Sequence, residues 1–338
     1  MAVVLACAAM PATAQPTRPT TRIPDDPRFA QQWQLSHDGV MGAPRAWGLA
    51  RGAPVTVAIV DTGVDTTHRD LVANLWTNPH EVPGNGVDDD RDGHVDDVHG
   101  WDMIGGDADP SDDNGHGTSL AGVVAARGDN GIGVAGVAWR ARIMPIKVVD
   151  AGASAPSAAI ADGIRYAVAH GADIVLLALA GTDPGAYLQD AVRAASDAGV
   201  LVVCAAGNGG HDIDTAPEYP ASFAFPNLVR VAATGRDGRL TKMSNLGPRT
   251  VDIAAAGDEI LSTAMGGGYE RRSGTSLAAA TVAGAAALMS AAAPSLDAPT
   301  LRAVLLRTAR QRHRLPISGG TLDMARAMRR ARALGSQG

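Results

Sequence analysis

Five stretches of the chain are short and apolar at nearly every position: PVTVAIV (54–60), ARIMPIKVV (141–149), ADIVLLALA (172–180), GVLVVCAA (199–206) and NLVRVAAT (227–234). A strand with one wet face alternates apolar and polar side chains. Continuous β-branched runs of this length instead predict parallel strands covered on both faces. Between them, SAAIADGIRYAVAHG (157–171) and DPGAYLQDAVRAASDAG (183–199) repeat their apolar residues with a 3.6-residue period and end in glycine, which predicts helices. The alternation predicts an α/β fold, a doubly wound, mostly parallel sheet flanked by helices on both faces. In such sheets functional residues gather at the carboxyl ends of the strands.

One further apolar run, SGTSLAAATVAGAAALMSAA (273–292), holds a single group fit for chemistry, Ser276. Taken alone, its hydroxyl reads as a helix cap, because a serine oxygen accepts a hydrogen bond from an unpaired N–H of the first turn. The choice depends on what stands elsewhere in the chain. Asp61 follows VAIV where a buried strand should end, His116 lies between glycines in DDNGHGTSLAGVVAA, and Asn208 follows another strand in CAAGNGG.

The chain has 338 residues, 46% hydrophobic and 19% charged, enough for one large core. We divide it into a leader at 1–14, a linker at 15–25, an α/β domain at 26–332 and a tail at 333–338. The net charge of −6 argues against a nucleic-acid surface. The one basic cluster, Arg326, Arg329, Arg330 and Arg332, is short, lacks aromatic partners and reads as the wet face of a last helix. Residues 1–14 combine an apolar core with Ala12-Thr13-Ala14 before Gln15, an A-x-A cleavage pattern, so a secreted or periplasmic location is expected. A lipobox reading of Cys7 is the alternative. With the leader removed, Cys204 is the one remaining thiol and no disulfide can staple the fold. No other segment reaches the roughly 18 apolar residues that span a bilayer.

In chain order, Asp61, His116, Asn208 and Ser276, with HGT around the histidine and SGTS around the serine, resemble the subtilisin-like serine proteases, the subtilases. The likeness runs over about residues 25 to 330 and extends to DTGVD (61–65), YPAS (219–222), AAAGDEILST (254–263) and GGTLDMARA (319–327). It implies a serine endopeptidase acting through an acyl-enzyme. His116 is the general base, Asp61 orients it, and Asn208 joins the backbone N–H of Ser276 in an oxyanion hole. The resemblance places substrate along Ala178, Leu179 and Ala180 on one side and Ala205, Ala206 and Gly207 on the other. Glu218, just before Tyr-Pro, then lines the base of the pocket for the side chain preceding the scissile bond and favours Lys or Arg. The other reading is a solvent-facing glutamate.

Three acidic clusters imply structural calcium, with no cofactor for catalysis. By resemblance to thermitase-type subtilases, Asp26, Asp70 and Asn130 supply side chains to one site and Ile132 and Val134 supply carbonyls. A second matches WDMIGGDADPS, with Asp102, Asp107, Asp109 and Ser111. The third, DDDRDGHVDD (88–97), opens like an EF-hand loop through Asp88, Asp90, Asp92 and Gly93, although His99 stands where the closing glutamate belongs. The partners expected are polypeptide substrates, with no nucleic acid, no membrane once the leader is removed, and a monomeric state.

The sequence departs from the family pattern at four points. Ser119 replaces a second histidine in HGTH, for which local repacking is expected. Ala178-Leu179-Ala180 replaces SLG, so the Ala180 methyl narrows the cleft. Ala280 replaces a proline four residues after the nucleophile, restoring an N–H for the Ser276 carbonyl and altering how an acyl-enzyme divides between water and amines. Finally, residues 15 to about 25 leave no room for a propeptide, so folding without one is expected. These departures keep two alternatives in view, an inactive binding scaffold and a peptide ligase.

Overall fold

Successive residues of each central strand enter different cores. Val57 and Ile59 join one buried cluster, while Ala58 and Val60 join a second, and the same alternation holds for Ile174 and Leu176 against Val175 and Leu177. Apolar runs without polar interruption are therefore required, since neither face of the sheet meets water. In the computed structural model, which describes residues 21–35, 41–311 and 313–336, the elements run α1 (Ala43–Trp47), β1 (Thr56–Asp61), β2 (Trp101–Asp102), α2 (His116–Ala125), β3 (Arg142–Lys147), α3 (Ser157–Ala169), β4 (Ile174–Leu177), α4 (Ala186–Asp197), β5 (Leu201–Ala205), β6 (Leu228–Thr234), β7 (Ile253–Ala256), β8 (Ile260–Ala264), β9 (Gly268–Arg272), α5 (Thr275–Ala292), α6 (Ala298–Thr308) and α7 (Met324–Gly335). The leader-like segment 1–14 lies outside the described residues.

Strands β2-β3-β1-β4-β5-β6-β7 form one seven-stranded sheet, and β8 and β9 form a separate antiparallel pair. Every pairing in the large sheet is parallel. The order changes direction at β1, whose neighbours are β3 on one side and β4 on the other, with Asp61 opposite Lys147 at the end of the ladder. That is where an open parallel sheet leaves a crevice beyond its carboxyl ends. All five apolar runs form strands, each shorter than its run. The run 172–180 yields β4 only at Ile174–Leu177, and Ala178 to Ala180 leave the sheet.

Helices α2 and α5 cover one face and α3 and α4 the other. α5 corrects the count of membrane-length segments: its 18 residues are long and apolar enough to cross a bilayer. The helix is instead 83% buried inside the protein, where alanine and glycine let it lie close to the sheet. Asp297 caps α6 and Asp323 caps α7, each accepting an N–H of the first turn. Arg326, Arg329, Arg330 and Arg332 are exposed along α7. β7 is alanine-rich and β9, GYERR, is charged, so their composition hid them from a reading of apolar runs.

Candidate active site

The carboxyl end of β1 delivers Asp61, which is fully buried. Its Oδ1 accepts the Thr62 N–H at 2.9 Å and lies 2.6 Å from His116 Nδ1, while Oδ2 is buried with no hydrogen-bond partner among the described residues. His116 opens α2, with one quarter of its side chain exposed. Burial lowers its affinity for a proton, but the charge of Asp61 and the hydrogen bond to it raise that affinity by more, so the imidazole titrates above its usual 6.5. The Asp61 contact places the proton of the neutral ring on Nδ1 and leaves Nε2 as the basic nitrogen.

Two residues absent from the sequence expectations hold this pair in place. Asp112 Oδ1 accepts from the Thr62 hydroxyl and from the Asn114 and Gly115 N–H groups. Its Oδ2 accepts from the N–H and hydroxyl of Thr118, so one carboxylate ties the end of β1 to the first turn of α2. Lys147, buried at the end of β3, donates from Nζ to the Thr62 carbonyl at 3.0 Å and to Asp113 at 2.6 Å. Gly117 permits the close approach of α2 to β1, since a Cβ there would stand 2.0 Å from the Gly63 carbonyl oxygen. An aspartate four residues before HGT was the available signal for Asp112.

Ser276 is the second residue of α5 and is 5% exposed, with its hydroxyl donating to the Ala178 carbonyl at 3.2 Å. Ala178 is the first residue beyond β4, so the nucleophile candidate touches the segment expected to bind substrate. Asn208 follows β5 and is exposed. Its Oδ1 accepts the Thr275 N–H at 2.9 Å and the Thr275 hydroxyl at 3.0 Å. A backbone N–H can only donate, so the oxygen must face Thr275 and the amide NH2 is left as a donor.

Glu218 is largely covered, its side chain 14% exposed, and lies against Gly207. A Cβ on Gly207 would stand 2.1 Å from Glu218 Oε2, so glycine is needed there for the carboxylate to approach. The backbone of Tyr219 pairs with Gly181 in both directions, joining the Glu218 loop to the segment after Ala180. Ala180 is exposed and Leu179 half-buried. Ser119 is buried, its hydroxyl without a partner among the described residues and its carbonyl accepting from Ser262. α5 continues without interruption through the buried Ala280.

The acidic clusters divide by donor set. Asp26 and Asp70 are buried beside Asn130, whose amide donates to Asp70 Oδ1 at 2.8 Å. Val134 N–H and the Tyr269 hydroxyl donate to Asp70 Oδ2, and Ile132 N–H to Asn130 Oδ1. Asp26 Oδ1 is buried with no partner among the described residues, and its carboxyl is pushed up to about 7 by burial first and then by the charge of Asp70. An orphaned buried oxygen beside a second buried carboxylate fits a hard cation. At the second cluster, Asp102 and Asp107 pair through the backbone and turn Oδ2 atoms toward the same point, 3.1 and 3.0 Å from where a Cβ on Gly105 would lie. Asp109 accepts the Ser111 N–H. At the third, Asp88 accepts the N–H groups of Asp92 and Gly93, as the first residue of a tight loop does. Asp90 instead groups with Glu81 and Asp97, and together with Asp92 it also meets His170. Glu81, Asp97 and His170 come from outside the opening of the loop, so its spacing could not reveal them.

Residues 52–327 match the subtilase family, peptidase S8. Thermitase from Thermoactinomyces vulgaris is 38% identical over 286 residues, covering 85% of this chain and 91% of that protein. The major intracellular serine protease of Bacillus subtilis (strain 168) is 36% identical over 252 residues, 74% of this chain and 73% of that protein. Among solved structures, a protease from Pseudoalteromonas arctica PAMC 21717 superposes with a TM-score of 0.78 at 31% identity, covering 91% of this chain and 99% of that one.

Proposed function

The chain belongs to the subtilase family and is a serine-type endopeptidase, and from that premise we propose that Asp61, His116 and Ser276 are its catalytic triad and Asn208 its oxyanion donor. The observation that carries this reading is the 2.6 Å contact between Asp61 and His116 at the end of β1, with Ser276 in the first turn of α5 and its hydroxyl on the Ala178 carbonyl beyond β4.

Catalysis begins when the Ser276 hydroxyl leaves the Ala178 carbonyl for His116 Nε2. His116 takes its proton as Oγ attacks the peptide carbonyl carbon. Asp61 holds the tautomer and stabilises the imidazolium. The oxyanion receives hydrogen bonds from the Asn208 amide and the Ser276 N–H, which is unpaired in the first turn of α5. Collapse breaks the C–N bond, His116 protonates the leaving amine, and an ester to Ser276 remains. Water, deprotonated by His116, then hydrolyses that ester. Substrate backbone lies along Ala178 to Ala180, and Glu218 at the base of the pocket favours Lys or Arg before the scissile bond.

We further propose that calcium, held by Asp26, Asp70 and Asn130 with the carbonyls of Ile132 and Val134, neutralises the buried carboxylate pair. Asp102, Asp107 and Asp109 offer a second site, and Asp90 with Glu81 and Asp97 an all-oxygen third. The ion supplies cross-linking between distant loops. Export is proposed on the leader-like segment 1–14, and relatives include an intracellular protease as well as subtilisins.

Reaction with a serine-directed phosphonofluoridate tests the mechanism. Labelling at Ser276, absent in Ser276→Ala, is expected; an unlabelled serine in folded protein leaves the scaffold reading in its place.

A further inference from the structure

Glu218 does not stand alone at the base of the pocket. His211 Nε2 lies 3.2 Å from Glu218 Oε1, while the other carboxylate oxygen rests over Gly207, directly before Asn208. The imidazole side chain is 38% exposed against 14% for the glutamate. Solvent can therefore reach the histidine, whereas the carboxylate is largely covered and lies against Gly207.

The geometry of this pair is fixed from both sides. His211 N–H donates to Asn245 Oδ1 at 3.2 Å, and Asn245 Nδ2 donates to the Ala206 carbonyl at 2.9 Å. Asn245 N–H also donates to the Gly207 carbonyl, so the histidine loop is bound to the pocket wall. From this packed segment the facing group is the uncharged Asn245 amide, and from the segment before Tyr219 it is Glu218. Along the histidine's own loop, Asp212 Oδ1 accepts the Asp214 N–H, and Asp214 is paired with Arg249.

We infer that His211 is a specificity-determining residue, which sets how much of the Glu218 charge a substrate side chain can use. The inference rests on the reading of Glu218 as the base of the pocket. A protonated His211 neutralises the carboxylate and repels an incoming ammonium or guanidinium, so apolar side chains compete well. A neutral His211 keeps its contact but carries no charge, and the carboxylate then selects Lys or Arg.

The test is the ratio of kcat/KM for two peptide anilides that differ only in Arg or Leu before the scissile bond, followed from about pH 5.5 to 9. Titration of His116 affects both substrates equally and cancels in the ratio, and arginine does not titrate in this range. In the wild type the ratio should rise about fivefold with pH, the scale of one partly screened ion pair. In His211→Gln, which keeps a polar side chain without the charge, the ratio should be high and flat. A rise of equal size in His211→Gln overturns the inference. Glu218→Gln separates the two readings. If it leaves the Arg-to-Leu ratio unchanged, the pocket reading fails and takes the inference with it; if it lowers the ratio while wild type and His211→Gln follow parallel profiles, the inference alone fails.

Discussion

His116 Nδ1 lies 2.6 Å from Asp61 Oδ1, and the second oxygen of the same buried carboxylate has no hydrogen-bond partner among the described residues. The uncompensated charge acts on the imidazole, which is why His116 holds its proton above its usual range despite burial. A general base must be neutral to accept the Ser276 proton. Hydrolysis should accordingly rise with pH through a midpoint above 6.5. The sign for stability is opposite: the folded state favours the charged ring, so its contribution is complete below the unfolded value and is lost as pH rises through the folded one. A kcat/KM profile checks the first point. Asp61→Asn should remove about 10⁴-fold of turnover by presenting the wrong tautomer.

Asn208 serves two ends of one side chain. Asn208→Asp keeps an acceptor for Thr275 but deletes the amide donor, so kcat should fall about 10²- to 10³-fold with KM little changed. Asn208→Ala also strands the Thr275 N–H and should cost about 1 kcal/mol of stability in addition. Melting curves of the two variants beside their kinetics distinguish these effects. Equal turnover in Asn208→Asp and the wild type would remove the asparagine from the oxyanion hole.

Calcium should raise the melting temperature by several degrees, because a ligand at a hundred times its Kd adds about 2.7 kcal/mol to the folded state. Chelation should reverse the rise. Asp70→Asn should lose most of the calcium response, since it removes one of two buried charges facing Asn130. A calcium response of full size in that variant would move the principal ion elsewhere.

Asp252 accepts from Arg230 Nη1 at 3.1 Å and from Arg302 Nη2 at 2.6 Å, joining β6, α6 and the residue before β7. Removing one member of such a buried group leaves a charge unpaired. Asp252→Ala should cost about 3 kcal/mol in denaturant unfolding, with the kinetics of the folded fraction unaltered.

Ala280 stands where its N–H can meet the Ser276 carbonyl inside α5. Ala280→Pro deletes that donor and presses a ring on the carbonyl, turning the first helical turn. The ratio of aminolysis to hydrolysis, measured with an added amine, should fall by about an order of magnitude, the sensitivity expected of a small displacement at a reacting atom. An unchanged ratio would leave the alanine without a role in partition.

The five apolar runs became strands because a doubly covered sheet writes its burial directly into consecutive residues. Asp61, His116, Asn208 and Ser276 stood out in the sequence because each stands at the end or start of such an element, in a short motif that the chain carries whole, and the roles given to them are proposals. The β8–β9 hairpin was not legible, because GYERR pairs through its backbone and offers no apolar pattern.

The chain's own periodicity and motifs thus established the sheet, the helices that cover it and the order of the chemical groups, all properties of neighbours in sequence. Folding assigned the rest. Asp112 became the clamp between β1 and α2 because the fold brings the distant Thr62 hydroxyl to a carboxylate that already accepts four hydrogen bonds from its neighbours Asn114, Gly115 and Thr118. Asp90 joined Glu81 and Asp97, Asp92 met His170, and His211 came to rest on Glu218. Such pairings depend on where loops return in space, and no local spacing encodes that distance; the strand order and the packing of each loop against the sheet set it.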